Sequence, residues 1–593
     1  MIRTPLRPLA QILRARKEGR NPDTIERENI RQRHEELRGR DRRRAEGRIL
    51  VMGVMFFFAF ALIGGRMAVL AQSEPPAPRT SAAGAAIYAQ RADIVDRKGR
   101  ILATNFDTNS LYAQPQEMVD PERAVKGLVK IFPDLDPDRL IRDFTGKRKF
   151  LWIKKKISPE QRQAVHDIGE PGLLFGPREM RLYPNGRLAA HVMGGASFGR
   201  EGVHAAEVIG VAGIEKFYDD RLRDPARGHE ALRLSLDLSV QSAMERVLYG
   251  GMKLLNAKGA SAVLMDVQTG EVVAIASLPD FDPNDRPRPP TEGDATDSPL
   301  FNRSVQGVYE LGSVFKIFAV SQAMELGLVS PSTMINTQGP LRKDGFKIKD
   351  FRSYGPEMTA SQVIVKSSNI GTARIAQMIG AERQQGFLKS LGFFDPVPFE
   401  IVEARGGKPL LPRRWTELST MTIAYGHGLS TSPLHLAAGY AAIANGGRRV
   451  TPTLLYAPEA GPGARVMSES TAAAARKMLR EVVTEGTASL GEVPGYAVAG
   501  KTGTADKPKP QGGYYDDKVI ATFASFFPAY DPKYVLVVAL DEPVETSGPE
   551  PRRTAGWTAV PVAAEIIRRV APLLGLRPEI EPGDLADITL TSN

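Results

Sequence analysis

Two residues three apart, Ser313 and Lys316, lie in the stretch YELGSVFKIF at positions 309 to 318. Around them Val314, Phe315, Ile317, Phe318, Ala319, Val320, Ala323 and Met324 leave almost no polar face, and Gly327 offers a C-terminal stop. The pattern predicts a buried helix opened by the serine. At i, i+3 the hydroxyl and the amine share one side of the first turn. Burial disfavours a charged amine, so a lysine here is pushed toward its neutral, basic form and becomes able to take the proton of a nucleophilic serine. The motif needs partners, because S-x-x-K recurs by chance about twice in a chain of this length at average residue usage.

Partners occur downstream. In ASQVIVKSSNIGTARIAQMIG, Ser367-Ser368-Asn369 falls between two helical runs, and in YAVAGKTGTADK, Lys501-Thr502-Gly503 ends an apolar strand. K-T-G arises by chance only about 0.1 times in such a chain. The order S-x-x-K, S-x-N, K-T-G is the signature of the penicillin-recognising serine acyltransferases. Under this reading Ser313 attacks a carbonyl and Lys316 takes its proton, with Lys501 nearby helping to keep Lys316 neutral. The backbone N–H groups of Ser313 and Thr504 form an oxyanion hole. Ser367 passes a proton to the leaving amine with support from Lys501. Asn369 positions Lys316 and a substrate amide, and Thr502 with Lys501 holds a carboxylate beside Gly503.

The elements that must position these groups follow from hydrophobic periodicity. From Leu232 a strand leads into the amphipathic run LSVQSAMERVLYGGMKLL. ASAVLMDV and EVVAIASL, joined at QTG, then form the clearest β-hairpin in the chain. IATFASFFPAY and KYVLVVALDEP supply late strands, and TAVPVAAEIIRRVAPLLG a closing helix. Strands at both ends with helices between predict an α+β domain over residues 231–575, its mixed sheet assembled from distant segments and flanked by helices, followed by a solvated tail at 576–593. Residues 72–230 comprise a Pro/Ser/Ala-rich linker and a mixed region, with ADIV and GRILAT around the turn DRKGR and a helical stretch PERAVKGLVKIF, and no catalytic constellation.

Length and charge bound the function. The 593 residues exceed one ordinary core. The absence of cysteine excludes a disulfide framework, a thiolate zinc site and a cysteine nucleophile. The net charge of +10 suggests nucleic acid until it is located: residues 1–48 carry 15 Arg or Lys against 8 Asp or Glu, which is +7 of the +10. This basic segment precedes ILVMGVMFFFAFALIGG at 49–65, then Arg66 and MAVLA. At about 1.5 Å per residue the uncharged run is short, and the next turn, with Arg66 snorkelling, completes a transmembrane helix over 49–71. Arginines before it place the N-terminus in the cytoplasm and everything after residue 72 outside. Topology control and anionic lipid contact then account for the basic segment without nucleic acid. His427 and His435 have no accompanying carboxylate cluster and are expected to pack rather than bind metal; no cofactor is implied.

The resemblance extends beyond the three motifs. RADIVDRKGRILATN resembles the opening pedestal signature of class B penicillin-binding proteins, with Arg91, Asp96, Arg97 and Gly99 matching. RLYPNGRLAAHVMGG and GVAGIEKFYDDRL resemble later pedestal motifs through Arg181, Tyr183, Pro184, Gly186, Gly213 and Glu215. VLMDVQTGEVVAIASLPDFDPN, YGHGLSTSPLHLA and VVTEGTA are similar to transpeptidase-domain segments of that class. Ala92, Leu311 and Val314 depart from the usual glycine, proline and threonine, and none of them is a reacting group. The S-S-N form and the long cytoplasmic segment look like the division-specific branch of that class. The resemblance implies a periplasmic D,D-transpeptidase, β-lactamase-like in fold. It would cross-link peptidoglycan stem peptides at the septum, be acylated by β-lactams at Ser313, and work beside a SEDS-type polymerase and other division proteins in the inner membrane. An elongation-specific transpeptidase and a membrane-bound penicillin sensor are the alternatives. The chain lacks the E-x-x-L-N segment of one major β-lactamase class, and 48 cytoplasmic residues are few for a sensor's output domain.

Overall fold

Residues 7–72, 91–201, 206–227, 230–509 and 512–579 are described by a computed structural model. The chain divides into two units, Met1–Ile87 and Tyr88–Asn593. The first contains the helices Arg7–Lys17 and Pro22–Gln72, the latter 51 residues long. The expected span at 49–71 is therefore part of a longer helix that begins in the basic segment. Among the described residues no helix is long and apolar enough to cross a membrane. The side chains of the uncharged run 49–65 are described, and all are exposed. Those at 66–71, which the expected span also needs, lie outside the described set, as does the linker from 73 to 90.

In the second unit, the early region forms a sheet from β1 (Ile94–Val95), β2 (Ile101–Ala113), β3 (Leu151–Ile157) and β4 (Leu173–Leu182), with β2 antiparallel to the other three. The expected DRKGR turn joins β1 to β2, with Gly99 at φ +80°. A hairpin follows from β5 (Gly195–Glu201) and β6 (Ala206–Ala212). Leu111, Leu128, Phe132, Phe144 and Leu173 build a separate small core. It includes the helix Pro121–Ile131, started by Asp120, whose carboxylate accepts the Arg123 N–H.

The main core runs across residue 230. Ile94, Leu102, Tyr183, Met193, Ile214 and Leu222 share it with the later domain. Strand β7 (Leu232–Arg233) pairs parallel to β1. Charges reinforce this junction: Arg97 reaches Glu271 at 2.9 Å, while Lys98 and Arg100 reach Asp237 at 2.7 and 2.8 Å. Within the pedestal, buried Glu215 receives Arg91 at 2.7 Å and Arg181 at 2.6 Å, with Tyr183 Oη at 3.3 Å. The early motifs thus tie elements together.

The later domain contains the expected hairpin, β8 (Gly259–Asp266) and β9 (Val272–Leu278). Two small hairpin-like pairs follow, β10 (Met334–Asn336) with β13 (Glu357–Thr359), and β11 (Leu341–Lys343) with β12 (Phe346–Ile348). The late strands are β14 (Ala499–Pro508), β15 (Tyr514–Phe527) and β16 (Tyr534–Asp541). The main sheet has the order β14-β15-β16-β8-β9 and is antiparallel throughout, where a mixed sheet was expected. Short connections enforce that direction between the sequence neighbours β8–β9, β14–β15 and β15–β16, and the tertiary fold joins β16 to β8. β8 and β16 are buried nearly end to end, which requires cover on both faces. The helices Leu238–Leu254, Ala559–Leu573 and Pro433–Ala444 pack on the sheet. The described start of the tail is tied down, with Glu579 N–H donating to Gly495 O at 2.9 Å.

Candidate active site

The predicted helix begins as a 3-10 turn, Gly312–Phe315, and becomes α-helical over Lys316–Glu325. Its apolar face explains the placement. Phe315, Phe318 and Phe393 pack with ring centroids 5.1 to 5.5 Å apart, and buried Tyr440 donates its hydroxyl to Val314 O at 2.8 Å. Ser313 alone in the 3-10 turn is partly exposed. Strand β14, at the sheet edge, lies directly against this turn. A Cβ on Gly503 would sit 2.2 Å from Leu311 O, and one on Gly312, at φ +64°, 2.9 Å from Thr504 O. Glycine at both positions lets the K-T-G strand approach the serine. Thr504 N lies 3.3 Å from the same Gly312 Cβ position, and Thr504 Oγ1 accepts the Ala555 N–H at 3.0 Å.

Both lysines are fully buried. Lys316 Nζ donates to Ser367 O at 2.5 Å and lies 3.1 Å from Ser367 Oγ; Lys501 Nζ lies 3.0 Å from that hydroxyl and 3.2 Å from Thr502 O. Ser367 reaches between them from the junction of the helices Ala360–Val365 and Asn369–Ile379, in a left-handed conformation at φ +63°. Such a backbone costs a non-glycine residue about 1–2 kcal/mol, and here it aims the hydroxyl and the carbonyl at one amine. Burial, and then the neighbouring Lys501, push Lys316 well below the ordinary lysine range, with Asp350 acting the other way. Burial lowers Lys501 to about 7. A buried amine whose proton is held weakly can accept one from serine, and a second amine that keeps its proton can receive a carboxylate. Among the described hydrogen bonds none joins Ser313 to Lys316; contacts of this kind often close only with substrate bound.

Asn369 Nδ2 donates to Lys349 O at 2.9 Å, and among the described hydrogen bonds none joins Asn369 to Lys316. Thr502 Oγ1 pairs with Thr487 Oγ1 at 2.6 Å, which places the VVTEGTA segment behind the K-T-G strand. The residue that sequence reasoning missed is Asp350. Its Oδ1 accepts the N–H groups of Asn369 and Ile370 at 2.5 and 3.0 Å, and its Oδ2 the Ser368 hydroxyl at 2.7 Å, so it caps the helix that carries S-x-N. Glu310 was missed too: it accepts Gly428 N–H at 2.7 Å and Tyr514 Oη at 2.9 Å, joining the YGHG loop to the start of β15. A lone acid carries no local signal of either contact. His435 packs with Nδ1 2.7 Å from Ser432 Oγ and Nε2 2.8 Å from Asp395 O.

Lys316 of S-x-x-K and Lys501 of K-T-G converge on one hydroxyl beside a glycine-lined strand end. Residues 260–568 match the family described as penicillin binding protein transpeptidase domain, and residues 86–233 the penicillin-binding protein dimerisation domain. The chain belongs to the penicillin-binding protein transpeptidases. It is 32% identical over 550 residues to the probable peptidoglycan D,D-transpeptidase FtsI of Caulobacter vibrioides, covering 90% of each chain. It is 29% identical to the peptidoglycan D,D-transpeptidase FtsI of Escherichia coli, covering 83% of this chain and 85% of that one. Among solved structures, penicillin-binding protein 3 of Mycobacterium tuberculosis complexed with ampicillin superposes with a TM-score of 0.62 at 28% identity, over 84% of this chain and 97% of that one. As a penicillin-binding transpeptidase with a dimerisation domain ahead of its catalytic domain, the chain has the two-domain organisation expected of class B.

Proposed function

We propose that this penicillin-binding protein is a septal peptidoglycan D,D-transpeptidase that works through an acyl-enzyme on Ser313. The observation that carries the reading is the Ser367 hydroxyl held between two buried amines, next to the serine turn. Neutral Lys316 takes the Ser313 proton as Oγ attacks the carbonyl of a D-Ala-D-Ala stem. The N–H of Ser313, in a first turn where donors lack intrahelical partners, and that of Thr504 donate to the developing oxyanion. Lys501 and Thr502 hold the terminal carboxylate. Ser367 hands a proton to the departing D-alanine, and an amine of a neighbouring stem then takes the acyl group, breaking the ester and restoring Ser313. A β-lactam opens on the same serine. Asn369 holds the 341–354 lobe in place.

The exposed apolar side chains at 49–65, such as Phe57 at 70% and Leu62 at 76%, support a helix seated in lipid, with the basic segment on its cytoplasmic side. The two family matches cover a dimerisation and a transpeptidase domain, and a SEDS-type polymerase in the same membrane supplies the strands that this chain cross-links. In the test, purified protein, lipid II and polymerase are mixed. Polymer with cross-links is expected, and Ser313→Ala eliminates the cross-links and the labelling by a fluorescent penicillin while thermal unfolding stays unchanged. Cross-linking by the alanine variant, or glycan polymer from this chain alone, sinks the proposal. A functional fluorescent fusion that localises along the lateral wall instead of the septum moves it to the elongation branch.

A further inference from the structure

Beside the S-x-N motif lies a cavity of about 230 Å³, walled by Thr337, Lys347, Lys349, Arg352, Tyr354 and Ile370. The sequence from 341 to 354 carries Arg342, Lys343, Lys347, Lys349 and Arg352 against only Asp344 and Asp350. Lys347 on β12 and Lys349 just past its end are exposed, while Ile348 between them, 4% exposed, turns into the body. The Arg352 guanidinium lies 5.3 Å from the Tyr354 ring. Lys343 is drawn away by Glu417 at 2.6 Å, whereas Lys347, Lys349 and Arg352 enter no ion pair among the described residues. The acid that lines the cavity, Asp350, has both oxygens committed to the S-x-N helix. Because Lys349 O receives the Asn369 side chain, the cavity wall is joined directly to the catalytic groove.

We propose that this cavity is a subsite for a side-chain carboxylate of the acyl-donor stem peptide, a proposal that rests on the transpeptidase reading above. Three cations around a pocket of side-chain size, against the one carboxylate of Asp350, leave a net positive wall that selects an anion. An apolar wall from Ile370 and an aromatic one from Tyr354 accept the methylenes that lead to it. The subsite gives the enzyme a second hold on the donor besides the D-Ala-D-Ala end, and so discriminates stems by the charge of an interior side chain.

The test uses the full-length protein in detergent with two synthetic pentapeptide donors ending in D-Ala-D-Ala. They differ only in whether the third residue's side chain ends in a carboxylate or in its amide. Release of D-alanine in the presence of an acceptor amine gives kcat/KM for each. The carboxylate donor should be preferred about tenfold, mainly through KM. K347A/R352A should erase that preference, and R352E should reverse it toward the amide. Equal use of both donors by the natural protein, or a preference kept by K347A/R352A and R352E, overturns the subsite. Penicillin labelling of Ser313 in the same samples reports separately on the transpeptidase reading. A natural protein that labels yet shows no preference refutes the cavity alone, and one that neither labels nor releases D-alanine refutes the reaction itself.

Discussion

Lys316 and Lys501, 185 residues apart in sequence, share one hydroxyl: their Nζ atoms lie 3.1 and 3.0 Å from Ser367 Oγ. Two ammonium groups so placed repel, and neither has bulk water to soften the repulsion. The arrangement is stable when Lys316 gives up its proton, which is the state its chemistry needs.

The pair predicts a bell-shaped pH profile for acylation. Lys316, depressed by burial and by Lys501, gains a proton as pH falls through its lowered value, so the acid limb is loss of the base. Lys501, at about 7, loses its charge as pH rises through that value, so the basic limb is loss of carboxylate binding. The two limbs belong to the coupled pair. Stopped-flow acylation by a chromogenic cephalosporin from pH 5 to 9 checks this, and a flat profile contradicts it. Lys316→Arg, which stays protonated, should lose at least about a hundredfold.

Asp350 should prove to be a positioning residue. Asp350→Ala removes the acceptor for three donors at the start of the S-x-N helix and should cost about 1–2 kcal/mol of stability together with slower acylation. Asp350→Asn separates packing from charge. Because the carboxylate raises Lys316, its neutralisation should move the acid limb to lower pH. An unmoved limb would reduce Asp350 to a helix cap.

Gly503→Ala should abolish penicillin labelling although it adds one methyl group. The new Cβ would meet Leu311 O at 2.2 Å, a backbone atom that cannot yield without moving the serine turn. Wild-type acylation rates in that variant would mean that β14 can retreat without disturbing Ser313.

Glu215→Ala should destabilise the pedestal by about 3–5 kcal/mol, since it leaves the buried guanidiniums of Arg91 and Arg181 without their shared partner. Below the lowered melting temperature, penicillin labelling should persist, because Glu215 supplies no group to the site. Calorimetry with labelling at 20 °C and 37 °C (about room and body temperature) distinguishes this from a direct catalytic loss.

What the sequence determined by itself was whatever local pattern encodes. The apolar run around Lys316, the hairpin β8–β9, the late strands and the three motifs are written in neighbouring residues, so periodicity and spacing located them without a structure. Tertiary structure decided which of these groups meet. Ser367 contacts Lys316 and Lys501 across 51 and 134 residues of chain, and no short-range signal states that one hydroxyl serves both. The same distance hid Asp350, turned Asn369 to Lys349, and set an antiparallel sheet where a mixed one was expected. It also placed the main core across residue 230, because β1 can bury itself only against β2 and β7. Residue type fixed the available chemistry, and burial in the folded chain set which amine is neutral and which donor faces which acceptor, because desolvation and hydrogen bonding depend on the whole surroundings.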